Sequence, residues 1–408
     1  MNVSTGIDAL AFAGPVAYVD MAELAEARGV EPAKFLKGLG QRRMAIASPC
    51  EDTVTMAVDA GERALEAFGI DRGEIGTLIV GTETGVDHSK PVAVYAHDLL
   101  DLDTRCRTFE TKHACFGAMA GLTSSMDWIA SGRAKGRKAL VIASDIARYG
   151  VDTAGEPTQG AGAVAMVVSE SPRLLEIDPT RIGDFTRQVM DFWRPLYSKY
   201  AFADGHYSIE CYLEALTEAR RDAVGDGARL LDHLAASLYH VPFVKMAFKA
   251  HQREFEIERG APVDRDDDET RARVKESFER LTAPWLSLNA EVGNIYTGSL
   301  FLSLIDLLRR AARDMAGGEI GLFSYGSGCG ANYCVGRVTE TAADWSEVLD
   351  PADQLAARRR LDIDEYERLT REAEEADVAE QLDPANYGLR SGLFYTGTRD
   401  HQRRYERR

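Results

Sequence analysis

Short apolar runs that break off in small or polar loops recur along this chain, with helix-period patterns between them. Residues 77–80 (TLIV) lead into GTETGVDHSK, 138–145 (KALVIASD) into IARYG, and 320–325 (IGLFSY) into GSGCG. Residues 163–169 (AVAMVVS) follow the glycine-rich GEPTQGAG. These runs are too short for helices and predict buried strands. Helical spacing covers residues 53–68, 114–131, 209–223, 244–256 and 299–315. Strand alternating with helix predicts a layered α/β protein. Strand ends followed by polar loops fall in both halves of the chain, which points to two related halves with a site between them.

Composition narrows this picture. The chain has 408 residues, 45% apolar and 28% charged, as expected of a globular protein with a real core. Its net charge of −17 argues against nucleic acid or an anionic membrane as partner. A phosphate-bearing ligand would need a local basic patch. Six cysteines are scattered without a paired CxxC or a zinc spacing, which predicts reduced thiols in a cytosol and no metal site. MNVSTGIDALAFAG has no basic n-region, and no uncharged apolar run reaches membrane-spanning length, so a cytoplasmic protein is expected. The acidic run 264–269 (DRDDDE) reads as a solvated loop. From about residue 340 the chain turns charged, predicting a peripheral helical extension that ends in a solvated basic tail, HQRRYERR.

Four groups of residues carry candidate chemistry. Cys115 in FETKHACFGAMAGL opens a helical run of small residues. It is either a buried inert thiol or a nucleophile whose thiolate gains from a helix start. His113 beside it reads as structural. Glu83, just past a buried strand, stands where α/β sites form, and partial desolvation would make it a base; a plain exposed glutamate is the alternative. His240 in YHVPFVKMAFKAH is held at an element end by the proline that follows Val241. Lys245 and Lys249 share a helix face and would suit phosphates or simply solvent, and His251 reads as filler. Asn294 in GNIYTGS is a substrate contact or a helix cap. The SYGSGCG loop would converge backbone N–H groups on an oxyanion or form an ordinary turn. No GxGxxG, Walker or HExxH motif occurs.

Taken in order, YVDMAELAEARGV, GTETGVDHSK, FETKHACFG, VIASDIARYG, GEPTQGAGAVAM, DFWRP, YHVPFVKM, VGNIYTGSLFLSL and LFSYGSG resemble the 3-hydroxy-3-methylglutaryl-CoA synthase family, a branch of the thiolase-like condensing enzymes. The resemblance spans residues 18 to about 328. It implies a thiolase-like layered αβαβα core: a half over residues 1–170, a second half with insertions over 171–340, and an extension over 341–408. It also implies an acyltransferase that condenses an acetyl unit with acetoacetyl-CoA. Cys115 would be acylated, Glu83 would be the acid/base, and His240 would face the acetoacetyl thioester. Asn294, Ser327, Thr158, Ser208 and Tyr212 would contact substrate, and Lys245 and Lys249 the CoA. Asp145, Asp191 and Gly326 would support the site. No bound cofactor or metal is implied, since acetyl-CoA and acetoacetyl-CoA are substrates, and a homodimer is expected.

The sequence departs from the family pattern in places. Phe116 stands where many relatives have Tyr. Ala118 and Met119 replace smaller or hydroxylic residues, and Met119 is expected to reshape the acyl pocket. Asn332 and Tyr333 stand where Glu–Phe is common. Three alternatives accompany this reading: a polyketide β-branching synthase using acyl-carrier-protein substrates, which GIDALAFAGPVAYVD and FSYGSGC also resemble; a ketoacyl synthase III, which needs no Glu83; and a non-catalytic scaffold.

Overall fold

The computed structural model describes residues 4–408. Residues 1–3, which begin both the stretch read as lacking a leader and the first predicted half, lie outside the described residues. The first half runs β1 (Thr5–Ala13), β2 (Ala17–Asp20), α1 (Met21–Ala27), β3 (Arg43–Ile46), α2 (Thr53–Ala67), β4 (Ile75–Gly81), α3 (Val92–Leu99), β5 (Arg107–Thr111), α4 (Gly117–Ala130), β6 (Lys138–Ala147) and β7 (Gly160–Ser169). Next come β8 (Leu175–Thr186), β9 (Phe192–Trp193), β10 (Phe202–Ala203), α5 (Gly205–Val224), β11 (Ala236–Tyr239) and α6 (Val244–Arg259). After these follow α7 (Asp268–Leu281), α8 (Ser287–Val292), α9 (Ser299–Met315), β12 (Glu319–Gly326) and β13 (Gly330–Val338). The chain closes with α10 (Ala352–Ala356), β14 (Arg359–Arg360), α11 (Ile363–Glu375), β15 (Leu393–Arg399) and β16 (Gln402–Arg407).

Nine strands form one mixed sheet in the order β11-β12-β13-β8-β1-β7-β6-β4-β5. The order contains one pattern twice. From β1 outward, β7 and β6 add antiparallel and β4 adds parallel. From β8 outward, β13 and β12 add antiparallel and β11 adds parallel. The halves meet where β1 pairs antiparallel with β8. Every residue of β4 and β7 is buried, because helices cover the sheet: α2 packs on β1, β6 and β7, α4 on β4 and β6, and α5 on β8 and β13. Continuous apolar runs such as AVAMVVS are what such two-sided burial demands. This is the mixed α/β thiolase-like core that the strand pattern and the resemblance predict.

Three details differ from the sequence reading. The helix expected from residue 114 starts at Gly117, because Ala114 adopts a left-handed φ of 42° and the chain turns once before the helix. The acidic run is only partly a loop: Asp267 caps α7 by accepting from the Thr270 N–H, and Asp268 and Glu269 fill its first turn, where negative charge is favoured. The largest difference is at the C-terminus, where helices were expected and strands also form. β14 pairs with β2, and β15 and β16 make a hairpin. Asp400 and His401, at φ 50° and 62°, supply the two left-handed residues of its turn. The basic tail is therefore a strand. Arg403 and Tyr405 both donate to Asp52 Oδ2 at 2.8 Å, and the Arg403 side chain is only 9% exposed.

Asp52 is also the N-cap of α2, accepting from the Thr55 N–H at 2.8 Å. Replacing it removes a cap and leaves Arg403 buried beside one carboxylate fewer. Asp52→Ala should destabilise the fold by about 2–4 kcal/mol, read as a lower chemical-denaturation midpoint.

Candidate active site

The parallel strands aim their carboxyl ends at one region. β4, β5 and β6 run parallel, as do β11 and β12. Glu83 follows the end of β4, Cys115 the end of β5, His240 the end of β11 and Ser327 the end of β12; Asp145 lies in the last turn of residues of β6. Ligands of α/β sheets bind beyond these ends because the loops there face a common crevice.

Two glycines allow the close approach. A Cβ on Gly81 would lie 2.3 Å from the Ala118 nitrogen, so the end of β4 can touch the start of α4 only as glycine. A Cβ on Gly326 would lie 2.4 Å from the His113 oxygen and 2.8 Å from the Phe116 nitrogen. The SYGSG loop of the second half therefore rests on the turn that presents Cys115. That turn is closed by Phe116 N–H donating to His113 O at 2.9 Å. Among the described residues, the N–H groups of Cys115 and Ser327 find no backbone acceptor, and an oxyanion could take them up.

Cys115 is buried, and packs with Ala147, Tyr296, Tyr149 and Phe192. Burial and the charges of Glu83, Asp145 and Asp191 push its thiol well above the ordinary range. The expectation of a thiolate stabilised by the helix start is corrected here: burial first, and then three nearby carboxylates, outweigh the partial positive charge of a helix end, so the resting group is a thiol. Glu83 is half-buried, but its Oε1 is fully enclosed and has no hydrogen-bond partner. Burial, then repulsion from Asp145, raises its pKa, with Arg194 opposing. Asp145 is raised mainly by burial. Its Oδ1 accepts from the hydroxyls of Thr82 and Thr84 at 2.9 and 2.7 Å and from the Glu83 N–H at 3.0 Å, which fixes the loop carrying Glu83.

His240 is buried with Nδ1 unpartnered, and burial lowers its pKa to about 3, so the ring is neutral near pH 7. The Tyr212 hydroxyl donates to the His240 carbonyl at 2.9 Å. Asp191 accepts from the Tyr325 hydroxyl at 2.6 Å, the Gly328 N–H at 2.9 Å and the Ser208 hydroxyl at 3.2 Å, joining α5 to the SYGSG loop. Ser327 lines a cavity with Glu83, His113 and Phe192. Asn294 Oδ1 accepts from the Tyr296 N–H and the Ser299 hydroxyl, and its Nδ2 donates to the Tyr149 hydroxyl at 3.3 Å. It thus holds the two tyrosines that wrap the thiol.

Three predicted residues stand apart from this cluster. Lys245 and Lys249 lie exposed on α6, away from the cavity walls, with Lys245 Nζ over the Phe248 ring. Thr158 donates to Gly155 O within its own turn. Among the departures, Met119 is fully buried in the main core, outside the apolar cluster around Cys115. Phe116 packs edge-on to His113. Asn332 and Tyr333 bond to Asp184 and Glu254 inside the second half. His251, read as filler, is fully buried and bonds to Tyr239 and Ser277. Sequence reasoning did not single out Tyr149, Phe192, Arg194 or Tyr296. The first three lie inside the stretches SDIARYG and DFWRP, but only the fold turns them toward the thiol and the base. Among the described residues, no group of three or more His, Cys, Asp or Glu could hold a metal ion.

A thiol held beside an enclosed carboxylate, at the strand ends of a sheet whose halves repeat one pairing order, defines a condensing enzyme of the thiolase-like class. Comparison with known proteins narrows the class. The family models described as hydroxymethylglutaryl-coenzyme A synthase N terminal and C terminal match residues 2–172, and residues 175–261 and 254–408. The chain belongs to the hydroxymethylglutaryl-CoA synthase family. The hydroxymethylglutaryl-CoA synthase of Enterococcus faecalis is 39% identical over 93% of this chain and 95% of its own length. The polyketide biosynthesis 3-hydroxy-3-methylglutaryl-ACP synthase PksG of Bacillus subtilis is 34% identical over 90% and 88%. A solved structure of MvaS in complex with 3-hydroxy-3-methylglutaryl coenzyme A superposes with a TM-score of 0.92 at 46% identity, covering both chains fully. The curacin pathway HMG synthase in complex with apo donor-ACP gives 0.89 at 30% identity, covering 99% of this chain and 100% of its own. The protein is an enzyme of the hydroxymethylglutaryl-CoA synthase type, joining an enzyme-held acetyl unit to the ketone carbon of an acetoacetyl thioester. The ketoacyl synthase and scaffold alternatives fall with this assignment.

Repulsion from Asp145 helps keep the Glu83 proton on, so removing that charge eases ionisation of Glu83. Asp145→Asn keeps an oxygen acceptor for Thr82 and Thr84. The rising limb of the condensation rate against pH should move to lower pH by about one unit, measured on pre-acetylated enzyme.

Proposed function

We propose that this protein makes 3-hydroxy-3-methylglutaryl-CoA from acetyl-CoA, acetoacetyl-CoA and water, with Cys115, Glu83 and His240 as its catalytic residues. The Cys115 sulfur attacks the acetyl thioester, and its proton passes to the departing CoA sulfur, so this exchange needs no net base. The N–H groups of Cys115 and Ser327 would meet the oxyanion. The Glu83 carboxylate then takes a proton from the acetyl methyl. The enolate attacks the ketone carbon, neutral His240 donates a hydrogen bond to the ketone oxygen, and Glu83 returns the proton to the alkoxide. Water finally cleaves the bond to sulfur.

One observation carries this reading: Glu83 Oε1 is enclosed, unpartnered and electrostatically coupled to the buried Cys115. A carboxylate so placed has little water to lose before acting as a base. Asn294, Thr158, Ser208, Tyr212 and Ser327 would contact or position substrate, and Lys245 and Lys249 would reach CoA phosphates from the rim. Asp145, Asp191 and Gly326 would set the geometry. The chemistry calls for no metal and no resident cofactor.

The repeated pairing order supports a division into halves at about residues 170 and 340, followed by the extension. A homodimer fits the open outer edge of β5 on the nine-stranded sheet. A cytoplasmic location fits six free, buried cysteines. No helix among the described residues is long and apolar enough to cross a membrane.

Glu83→Ala tests the base. Cys115 should still take up label from acetyl-CoA, within about threefold of the parent rate, while condensation falls by at least about 100-fold. Condensation near the parent rate would remove Glu83 from this role. The carrier-protein alternative rests on PksG and the curacin enzyme, but the relatives named for CoA are the more similar here. Turnover on acetoacetyl-CoA should exceed that on acetoacetyl carrier protein by about tenfold or more, a preference of about 1.4 kcal/mol.

A further inference from the structure

Two neighbouring guanidinium groups lack a counter-charge. Arg148, just past β6, and Arg194, just past β9, are half-buried and wall one cavity of about 570 Å³. Neither makes an ion pair or a side-chain hydrogen bond among the described residues. Burial disfavours the charge of Arg148, Asp377 and Glu374 favour it, and Arg194 lies close enough to oppose it. In a chain with 65 acidic and 48 basic residues, an arginine finds a carboxylate easily. Here the nearby ones are committed elsewhere. Asp377 pairs with Arg403 at 2.7 Å and with Lys199 at 3.6 Å, and Glu374 accepts from the Tyr200 hydroxyl. Glu83 and Asp145 feel Arg194, but burial raises both above the ordinary carboxylate range, so neither supplies a full negative charge at neutral pH. His88, Leu196 and Lys199 on the cavity wall are exposed, which gives a small solute a way in.

A guanidinium presents its N–H donors in a planar fork and does not shed its charge near neutral pH. Two such groups, partly desolvated and unpaired, are costly, and a ligand that meets both offsets that cost. A single carboxylate is satisfied by one fork. A phosphate group carries more acceptor oxygens and roughly two negative charges, enough for two forks. We propose that Arg148 and Arg194 form an anion site that takes a phosphate group, free or on a small ester, in this cavity. The lysines proposed for CoA, Lys245 and Lys249, line neither this cavity nor the one beside the Cys115 turn, so the anion site is separate from them.

Calorimetric titration of the full chain with inorganic phosphate, and separately with glycerol phosphate as a small phosphomonoester, tests this. At least one should bind, and the tighter of the two tells a free from an esterified source. Arg148→Gln and Arg194→Gln should each weaken that binding by about tenfold or more, while Lys245→Gln stays within about twofold of parent. Arg148→Lys keeps the charge, loses the fork and should weaken binding by about threefold, a milder probe of the same contact. At fixed ionic strength, about 10 mM phosphate should raise the melting temperature of the parent and leave those of the two glutamine variants unchanged. Binding of neither probe overturns the site, and so does unchanged affinity in both folded glutamine variants. CoA affinity falling in parallel with phosphate affinity in Arg148→Gln would give the arginines to the substrate and overturn a separate site.

Discussion

Everything in this site follows from enclosing a thiol with carboxylates in a space too dry to tolerate many charges. Water would otherwise stabilise each anion separately. Here burial, and then the charges of Glu83, Asp145 and Asp191, raise the cost of a thiolate, and Cys115 keeps its proton; Asp145 likewise raises the cost of ionising Glu83. A pre-formed thiolate would add one more negative charge to the same enclosure. A thiol that loses its proton to the departing sulfur avoids that charge build-up. The same crowding lifts Glu83 out of the ordinary carboxylate range, so its protonated form is accessible when the alkoxide needs a proton.

The fold produces this enclosure by repetition. One pairing order used twice sends strand ends from both halves to a single place, and the two halves contribute different chemistry. β4, β5 and β6 carry Glu83, Cys115 and Asp145, while β11 and β12 carry His240 and Ser327. In the function proposed above, the acyl chemistry would thus belong to one half and the recognition of the second substrate to the other. Gly81 and Gly326 mark where the parts touch, since any side chain there would meet backbone. Asp191 then locks the SYGSG loop to α5 through Tyr325, Gly328 and Ser208.

The strands, the main helices and the catalytic candidates were legible in the sequence because buried two-sided strands leave continuous apolar runs. Residues at the ends of such runs are few, and Cys115, Glu83 and His240 are among them. The protonation state of Cys115 was not legible. It depends on burial and on three carboxylates 30 or more residues away in sequence, of which Asp145 is the nearest. Tyr149, Phe192 and Tyr296 were missed because aromatic residues in a loop look the same whether they wrap a thiol or fill a core. The terminal hairpin was missed because its strand alternation is written in arginine and tyrosine. Charge there signals solvent unless a buried acceptor such as Asp52 is known to face it.

That hairpin also bears on the base. Arg403 and Tyr405 hold Asp52, which starts α2. The next residue, Thr53, donates through its hydroxyl to Thr84 O at 3.2 Å and accepts at its carbonyl from the Ser144 hydroxyl at 2.7 Å. Thr84 in turn donates to Asp145, one residue beyond Ser144. A continuous set of hydrogen bonds therefore runs from the last strand of the chain to the loop that carries Glu83. Each of these bonds removes a freedom from the loop that carries Glu83. A carboxylate proposed to reach a methyl proton has to be held to a fraction of an ångström, and loops alone do not hold side chains that closely. Arg403 and Tyr405 of the charged extension thus brace the loop that carries Glu83, while Arg404, Arg407 and Arg408 beside them stay exposed.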